Sequence, residues 1–566
     1  MAVIATAGHV DHGKSALVRA MTGVEPDRYE EERRRGLTLD LGFGHAVASD
    51  GTILDIVDVP GHADYLKTMI AGMSHASVAL LVVDAVEGSR EQTKEHLAVI
   101  EATQPVAGVV ALSRVDLVDA QRREEVAAEL ADLLAGSTLR WSGPISTSSV
   151  TGEGVVALIE ELARVVRSVD SAQDGLSQQA VRLFVDRAFS ITGAGTVITG
   201  TLASGCVSIG KQLLVGAARH EVSVRALQRH GSDCEHIAAA SRAAINVSGL
   251  SAADVQRGDV VVEPNRWTHT NVVDVEIQLV DGASIRNGKG FSGHIGSARR
   301  DISLRPVGGD NSSGRHWYRM RFTDALPLCP GDRFVLRDQG TGQVVGVAIV
   351  NDVAPVAPPS ASNPDGSVEQ QLVHHGWVTT EHARRLTGSV LEPVVDRWVA
   401  AETVVESTLG VLRERLAAGP FDTAECSEVE RALLTSMDDV VVEHGLARLG
   451  GVDPALESPL IDRLLGEGVA TGPIEHGDRP VVARLVRLGV LIGHDGVYFH
   501  TDVLRGLEPT LEILWNADPE GFTVADLRDA LGITRKHALP LANCLDQMRI
   551  TRRVGDRRIR GRDATR

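Results

Sequence analysis

A glycine-rich segment close to the first residue has the residue types and the spacing that bind phosphate. Residues 8–15 fit the pattern G-x-x-x-x-G-K-[ST], in which successive backbone N–H groups turn inward on a triphosphate. In this pattern the lysine reaches the β- and γ-phosphates, and the serine hydroxyl binds Mg²⁺. The predicted nucleotide-binding residues of this phosphate loop are Gly8, His9, Val10, Asp11, His12, Gly13, Lys14 and Ser15.

Four further short motifs follow the phosphate loop in the order that a GTPase requires. Thr38 can complete the Mg²⁺ shell, Asp58 can hold the ion through water, and the Gly61 N–H can contact the γ-phosphate. The carboxylate of Asp116 can accept hydrogen bonds from both guanine N1–H and N2–H₂, a donor pair that adenine lacks. GTP is therefore the predicted nucleotide. The predicted guanine-binding residues are Ser113, Arg114, Asp116, Ser148 and Ser149.

Apolar runs place these motifs at the ends of buried strands. Such runs span residues 3–7, 53–57, 78–83 and 106–112, and they alternate with helical patterns over the first ~170 residues. This alternation predicts a parallel sheet that is covered by helices on both faces. From residue 181 to 353 the sequence pattern changes to short runs of strand-forming residues with frequent glycine. This pattern predicts two consecutive β-barrels.

The last part of the chain is predicted to be helical with short strands, and its end is predicted to form a winged helix. The predicted fold class is an α/β P-loop GTPase domain, two β-barrel domains and C-terminal winged-helix (α+β) repeats. The predicted boundaries are 1–172 for the GTP-binding domain, 173–265 and 266–355 for the barrels, 356–508 for a winged-helix region and 509–566 for an RNA-binding winged helix. Polar stretches at 168–179 and 354–367 are the predicted linkers.

Composition favours a soluble multidomain protein of the cytoplasm that does not enter a membrane. The chain has 566 residues, a net charge of −18 and no apolar run near the length of about 20 residues that a membrane helix needs. It begins with a predicted strand and not with a signal peptide. Its five cysteines form no C-x-x-C pair, which indicates reduced thiols and argues against structural zinc.

A basic cluster at the end of the chain contrasts with the acidic whole. Residues 535–566 carry ten basic and three acidic side chains, an excess of seven positive charges. Because these charges lie at the start of a predicted recognition helix and on a predicted wing, they favour nucleic-acid binding. The predicted contacts are Arg535, Lys536, His537, Arg549, Arg552, Arg553, Arg557 and Arg558.

The motif Asp58-Val59-Pro60-Gly61-His62 resembles that of the translational GTPases. The resemblance implies that His62 orients the attacking water, that Lys14 and Asp11 organise charge near the γ-phosphate, and that Val10 and Leu37 flank the histidine. The chain departs from the family where Ser113-Arg114 replaces Asn-Lys or Thr-Lys. We expect the planar arginine to stack on guanine, so that GTP is retained, with weaker support from serine.

Within this family the chain most resembles the selenocysteine-specific elongation factors. The resemblance is carried by residues 36–43, 185–190, 193–197, 242–246, 331–334 and 532–541. It implies a monomer that brings selenocysteyl-tRNA to the ribosome at UGA codons and binds an mRNA hairpin, the SECIS element, through its last winged helix. It also implies a selenocysteyl pocket formed by Asp186, Arg187 and Arg242.

Two other functions are compatible with these motifs. One is a GTPase that carries another aminoacyl-tRNA or the initiator tRNA, although a carrier of the elongation factor Tu type ends after its third domain. The other is a GTP-controlled regulator whose winged helix binds DNA. Preference of the 509–566 segment for duplex DNA over hairpin RNA would favour the regulator.

Overall fold

The computed structural model describes most of the chain. The described residues are 2–26, 38, 40–62, 65–74, 76–173, 175–193, 195–280, 283–285, 288–308, 316–360, 362, 364–443, 445–450 and 455–561. The chain divides into two compact units, Met1–Glu392 and Pro393–Arg566. Among the described residues, no helix combines the length and the apolar character that crossing a membrane requires.

The first unit begins with a six-stranded sheet that has helices on both faces. Its strands, in the spatial order β2-β3-β1-β4-β5-β6, are parallel except for the edge strand β2. They are β1 Val3–Ala7, β2 Gly42–Val47, β3 Ile53–Asp58, β4 Val78–Asp84, β5 Ala107–Ser113 and β6 Trp141–Ser146. The helices are α1 Lys14–Thr22, α2 Leu66–Met73, α3 Glu91–Thr103, α4 Ala120–Leu134 and α5 Val155–Gln173.

Side chains alternate between two separate cores on the faces of this sheet. Val3 and Ala5 of β1 pack against residues of α2, α3 and α4, while Ile4 packs against residues of α1 and α5. Every residue of β4 is buried, as expected for the centre of a sheet that is covered on both sides. The covered sheet therefore holds the carboxyl ends of β1, β3 and β5 at one edge, where the predicted GTP motifs begin.

The second domain of the unit is a six-stranded antiparallel barrel. Strands run in the order β10-β15-β7-β8-β14-β11, and pairing of β10 with β11 closes the barrel. The strands of this domain are β7 Arg182–Ile191, β8 Gly195–Ser204, β9 Cys206–Ser208, β10 Gln212–Val215, β11 His220–Arg229, β12 Ser232–Cys234, β13 His236–Ala238, β14 Ser241–Ser248 and β15 Val260–Val262.

A second closed barrel follows, in the order β16-β19-β18-β17-β20-β21. Its strands are β16 Thr268–Leu279, β17 Phe291–Ile295, β18 Ala298–Pro306, β19 His316–Leu328, β20 Arg333–Asp338 and β21 Val344–Asp352. A buried ion pair joins Arg182 of the first barrel to Asp332 of the second, with N···O distances of 2.7 Å. The two barrels are therefore connected by more than their linker.

The polar stretch after the second barrel is fastened to that barrel. Ser362 Oγ donates to Asp274 Oδ2 at 2.7 Å, and Asn351 Nδ2 donates to the Pro364 carbonyl at 2.8 Å. The next elements, α6 Val368–His375, β22 Val378–Thr379 and α7 Thr380–Thr387, belong to the first compact unit. That unit thus continues past the predicted boundary at residue 356.

The second unit repeats a pattern of helices followed by a hairpin. Its helices are α8 Glu402–Ala418, α9 Glu428–Ser436, α10 Pro459–Glu467, α11 Arg479–Arg487, α12 Thr501–Arg505, α13 Glu508–Ala517, α14 Val524–Leu531 and α15 Arg535–Gln547. Its strands are β23 Trp398–Val399, β24 Phe421–Asp422, β25 Val440–Glu443, β26 Leu446–Leu449, β27 Leu491–His494, β28 Val497–His500, β29 Phe522–Thr523, β30 Thr551–Val554 and β31 Arg557–Arg560. The predicted fold class is confirmed.

The last winged helix forms where the sequence predicts it. Thr523 caps α14 by accepting from the Asp526 N–H, and the Asp526 carboxylate accepts from the Thr523 N–H in return. Pro540 lies inside α15, is buried there, and does not end the helix. The core under β30 and β31 is formed by residues such as Trp515, Phe522 and Leu541.

Candidate GTP site and the neighbouring pocket

The phosphate loop has a backbone that only a few residue types can adopt. Gly8 has φ +134°, and a Cβ atom there would lie 2.1 Å from the Val82 carbonyl oxygen. Gly13 has φ +80°, and Asp11 adopts a left-handed φ of 63°. The loop thus leaves β1, turns tightly against β4 and enters α1 at Lys14, so that the N-terminus of this helix lies where phosphate would bind.

The Lys14 side chain is held by backbone carbonyls of the phosphate loop. Its Nζ donates to the carbonyls of Gly8 at 3.0 Å and His9 at 2.8 Å. Burial lowers the pKa of Lys14 to about 8, although the nearby charges of Asp58 and Asp11 act to raise it. The ammonium group is still mostly protonated at neutral pH, so a buried cation faces the place where phosphate would bind.

Oxygen ligands suitable for Mg²⁺ meet beside this lysine. Ser15 Oγ and Thr38 Oγ1 lie 2.8 Å apart. Asp58 Oδ1 accepts from Thr6 Oγ1 at 2.8 Å, and Thr6 Oγ1 in turn accepts from the Val59 N–H at 3.1 Å. Hydroxyls and a carboxylate are ligands that Mg²⁺ prefers, usually together with substrate phosphates. In the described part of the chain, no group of three or more His, Cys, Asp or Glu residues could hold a metal.

The predicted guanine motifs are joined to the phosphate loop and to each other. Ser113 Oγ donates to the His12 carbonyl at 2.7 Å, which ties the loop after β5 to the phosphate loop. The Val115 N–H donates to the Thr147 carbonyl at 3.3 Å, and Ser148 Oγ accepts from the Thr151 N–H at 3.1 Å. These contacts bring residues 113–116 and 147–151 to one edge of the sheet, where the exposed Asp116 and Ser149 also lie.

Arg114 fills the position where the family has lysine, and it has a fixed partner. Its Nη1 donates to Asp84 Oδ2 at 2.8 Å, and the Asp84 side chain is buried. Arg114 itself adopts a left-handed φ of 54°. The ion pair gives the guanidinium group a defined orientation at the end of β4, beside Ser113.

His62 lies at the end of the segment that follows β3. Its ring centroid is 6.2 Å from that of Tyr65, in an edge-on arrangement. Before it, a Cβ atom on Gly61 would lie 2.4 Å from Lys14 Nζ and 2.9 Å from the Val10 nitrogen, so this backbone can approach the phosphate loop only as glycine. Leu37, the predicted second flank of the histidine, lies outside the described residues.

Two residues of α3 that sequence reasoning missed hold the phosphate loop from behind. The Gly8 N–H donates to His96 Nδ1 at 2.9 Å, and the Val10 N–H donates to Gln92 Oε1 at 3.3 Å. His96 also forms a hydrogen bond with the Gly61 backbone. Burial lowers the pKa of His96 to about 3, so the ring is neutral and Nδ1 can accept. The i,i+4 spacing of Gln92 and His96 is the sequence signal for their shared helix face.

Replacing His96 with alanine is expected to speed nucleotide release. The substitution leaves the Gly8 N–H buried without its acceptor, which costs about 1–3 kcal/mol. Because the same ring also contacts Gly61, we expect GDP to dissociate about 10- to 100-fold faster. Stopped-flow release of a fluorescent GDP analogue measures this rate. His476→Ala, at an exposed histidine of the second unit, is the control, and an equal rate in the two variants would contradict the assigned role.

The three residues of the predicted selenocysteyl pocket lie together on β7 and β14, the two strands that flank β8, where the GTP-binding domain meets the first barrel. Asp186 and Arg242 form an ion pair, and the Arg242 guanidinium carbon lies 3.9 Å above the Phe43 ring centroid. Arg187 Nη2 lies 2.8 Å from Asp40 Oδ2. A cavity of about 320 Å³ is lined by both domains, including Phe43, Arg187 and Arg242.

The predicted RNA contacts divide into exposed and structural residues. Five are exposed on α15 and on the wing, namely Arg535, Lys536, Arg549, Arg552 and Arg553. His537 is half-buried, with Nε2 2.9 Å from the Thr471 carbonyl oxygen and Nδ1 3.0 Å from Thr534 Oγ1. Arg557 is half-buried and pairs with Asp518.

The prediction that Arg558 contacts RNA is wrong. Its side chain is 1% exposed, and Nε donates to Asp546 Oδ2 at 3.0 Å while Nη2 donates to Asn543 Oδ1 at 2.9 Å. Both acceptors lie on α15, so Arg558 fastens the wing to the recognition helix. In the hairpin, alternate residues face opposite sides, and Arg558 faces the core.

Comparison with known proteins matches both ends of the chain to the same kind of factor. Residues 1–168 match the family model of the elongation factor Tu GTP-binding domain. Residues 514–560 match the model of the winged helix of elongation factor SelB. The two matches thus cover the sheet with its GTP motifs and the basic winged helix.

Three relatives illustrate the range of similarity. The selenocysteine-specific elongation factor of Desulfomicrobium baculatum is 28% identical over 98% of this chain and 99% of its own length. That of Escherichia coli strain K12 is 38% identical, but over 49% of this chain and 44% of the relative. Elongation factor 1-alpha of Methanopyrus kandleri is 32% identical over 46% of this chain and 70% of the relative.

A solved structure matches the fold along the whole chain. The crystal structure of a bacterial selenocysteine-specific elongation factor, EF-Sec, covers 99% of this chain with a TM-score of 0.66 and 24% sequence identity. The match extends over 100% of that structure, from the GTP-binding domain to the winged helices. The chain is a translational GTPase and belongs to the selenocysteine-specific elongation factor family, SelB.

Proposed function

We propose that this protein delivers selenocysteyl-tRNA to the ribosome at UGA codons, hydrolyses GTP there, and binds an mRNA hairpin, the SECIS element, through its C-terminal winged helix. The observation that supports this most strongly is the similarity to a selenocysteine-specific factor over 98% of the chain. We propose that it acts in the cytoplasm as a monomer.

GTP binding is assigned to groups that lie at the carboxyl ends of the sheet strands. The loop N–H groups and the Lys14 ammonium receive the phosphates, and Asp116 receives the guanine edge. Ser15, Thr38 and Asp58 would hold Mg²⁺, which neutralises charge on the β- and γ-phosphates when it is bound. Asp11 adds negative charge close to Lys14 and tunes its protonation.

Hydrolysis on the ribosome is assigned to His62. The side chain follows Gly61, whose backbone lies against Lys14 and Val10, so movement of this segment carries the histidine toward the γ-phosphate. We propose that the ribosome completes this movement and that the imidazole then orients the attacking water. Since phosphoryl transfer depends mostly on positioning and electrostatics, correct placement of one side chain can control the rate.

The proposed amino-acid pocket uses charge to distinguish selenocysteine from serine. A selenol is largely ionised at neutral pH, whereas the serine hydroxyl is neutral. Arg187 and Arg242 line the cavity beside Phe43, and Asp186 pairs with Arg242. A neutral hydroxyl in this site would leave the positive charge of the arginines uncompensated. The resulting loss of binding free energy would favour selenocysteyl-tRNA over seryl-tRNA.

The proposed RNA-binding surface uses the exposed basic residues of the last winged helix. Arg535 and Lys536 begin α15, and Arg552 and Arg553 are both exposed on β30. Side chains cannot enter the deep, narrow major groove of an RNA helix, so contacts to phosphates and loop bases should dominate. Arg558 is not one of these RNA contacts, because its side chain joins the wing to α15.

Two arginines of the wing should respond differently to replacement. Arg552→Ala is expected to weaken hairpin binding and to reduce its salt dependence by about one phosphate contact, without unfolding the domain. Arg558→Ala removes the buried guanidinium that donates to Asp546 and Asn543 and should destabilise the winged helix by about 1.5–3 kcal/mol. Hairpin titrations over a salt series and thermal unfolding separate the two effects. An unchanged salt slope for Arg552→Ala would remove it from the interface.

Binding measurements on the full chain test the proposed function. We expect selenocysteyl-tRNA to bind tightly with a non-hydrolysable GTP analogue and much more weakly with GDP. Hairpin RNA that carries the SECIS element should bind in preference to duplex DNA of equal length. Loss of the nucleotide dependence, or preference for the duplex, would contradict the proposal.

A further inference from the structure

Thr38, Asp40 and Phe43 contact residues of the proposed magnesium site and of the proposed selenocysteyl pocket. Thr38 Oγ1 lies 2.8 Å from Ser15 Oγ. Phe43 lies under the Arg242 guanidinium, 3.9 Å from ring centroid to Cζ. Asp40 contacts the first barrel. Three residues that are close together in the sequence therefore contact both sites.

Among these three residues, Asp40 contacts two barrel arginines at once. Its Oδ2 lies 2.8 Å from Arg187 Nη2, and its Oδ1 lies 2.9 Å from Arg257 Nη1. The carboxylate is about a quarter exposed, at 23%, so these contacts are only partly screened by water. Each carboxylate oxygen pairs with a different arginine. Asp40, a residue of the GTP-binding domain, therefore holds the Arg187 guanidinium in one orientation.

The charges around the cavity match a ligand with one negative charge. Three arginines and one aspartate line the cavity, and three more charged residues pair with them or with each other beside it. Together they contribute four positive charges and three negative ones, from Arg187, Arg229, Arg242, Arg257, Asp40, Asp55 and Asp186. The cluster therefore carries a net charge of +1, which a single selenolate would neutralise. Without Asp40, Arg187 would lose the partner that holds it at the pocket.

We propose that Asp40 is a positioning residue of the selenocysteyl pocket, which holds Arg187 in place when Thr38 lies at the magnesium side of the GTP site. The nucleotide would then set the geometry of the amino-acid pocket through Thr38, Asp40 and Phe43. The inference deepens the proposed function and rests on it for the identity of the ligand. Its nucleotide part does not depend on tRNA, because coupling between two sites is reciprocal.

Calorimetric titration of the full chain with a GTP analogue and with GDP tests the nucleotide part. If the contacts of Asp40 form together with docking of Thr38, Asp40→Asn should lower affinity for the analogue by about five- to tenfold and leave affinity for GDP unchanged. Asp40→Glu, which keeps the charge, should recover part of the loss. The control is Asp50→Asn, which removes an exposed carboxylate that pairs with Arg167 inside the GTP-binding domain. An unchanged ratio of analogue to GDP affinity in Asp40→Asn would overturn the inference.

A second titration, with selenocysteyl-tRNA, tests the pocket. Asp40→Asn should weaken binding of this tRNA to the analogue-bound protein about tenfold and change seryl-tRNA binding much less. Equal losses for both tRNAs would overturn the assignment of Asp40 to the pocket. A wild-type protein that does not prefer selenocysteyl-tRNA would instead overturn the proposed function, and the nucleotide titration would still decide the coupling role of Asp40.

Discussion

Replacing His62 with alanine is expected to leave GTP and GDP affinity nearly unchanged and to lower ribosome-stimulated hydrolysis by about 10³-fold or more. The imidazole is assigned to the attacking water and not to nucleotide binding, so its loss removes an interaction that is made only in the transition state. Fluorescent nucleotide titration gives the affinities, and single-turnover release of phosphate with programmed ribosomes gives the rate.

The replacement by glutamine separates water orientation from simple loss of bulk. Ras-type GTPases use glutamine to orient water, so His62→Gln should retain more activity than His62→Ala. Tyr65→Phe keeps the ring that faces His62 and serves as the control for local packing. A turnover of His62→Ala within a few-fold of the wild type would remove His62 from the mechanism.

Replacing Asp116 with asparagine is expected to exchange guanine for xanthine as the preferred base. In the proposed guanine site the carboxylate would accept from two guanine donors, whereas an amide can accept from only one while its NH₂ group faces the other. The two charge-assisted hydrogen bonds contribute about 1.5–3 kcal/mol each, so GTP affinity should fall by about 10²- to 10⁴-fold. Xanthine has a carbonyl where guanine has its amino group, so the amide NH₂ fits it.

Competition between GTP and xanthosine triphosphate measures this exchange directly. Asp119→Asn is the matched control, because Asp119 is an exposed carboxylate three residues away that caps α4 by accepting from the Arg122 N–H, and asparagine can also cap. The control should keep the wild-type preference for GTP. Retention of guanine preference by Asp116→Asn would place base recognition elsewhere.

The fold and the chemical motifs were predictable because their signals are local. Each GTP motif is a short string after an apolar strand, and the covered sheet brings the strand ends together. Thr6 and His96 were missed because their partners are distant in the chain. Thr6 bonds Asp58, 52 positions away, and His96 bonds Gly8, 88 positions away. No local pattern connects such residues before the sheet has formed.

A count of basic residues in the tail does not predict which of them are exposed. Arg552 and Arg558 are equal in a charge count, yet one is exposed and the other is 1% exposed in its side chain. The difference in exposure comes from the pairing of β30 with β31. Arg558 lies opposite Arg553 in this hairpin, and its side chain faces the core, whereas the side chain of Arg552 is exposed. Which arginine has its charge satisfied inside the fold depends on Asp546, a residue of the preceding helix.

The pocket was predictable only in part. Resemblance supplied Asp186, Arg187 and Arg242, which lie on β7 and β14, the two strands that flank β8. It did not supply Asp40, Phe43 or Arg257, because these become neighbours of the pocket only when the GTP-binding domain meets the barrel. Contacts between domains have no signature in the spacing of residues along the chain.

The most direct test of the account compares two tRNAs that differ only in the attached amino acid. The same tRNA, charged with selenocysteine or with serine, is titrated onto the full chain in the presence of a non-hydrolysable GTP analogue. We expect the selenocysteyl form to bind at least about 100-fold more tightly, since the proposed pocket favours an anion. Equal affinity for the two charged tRNAs would contradict the account.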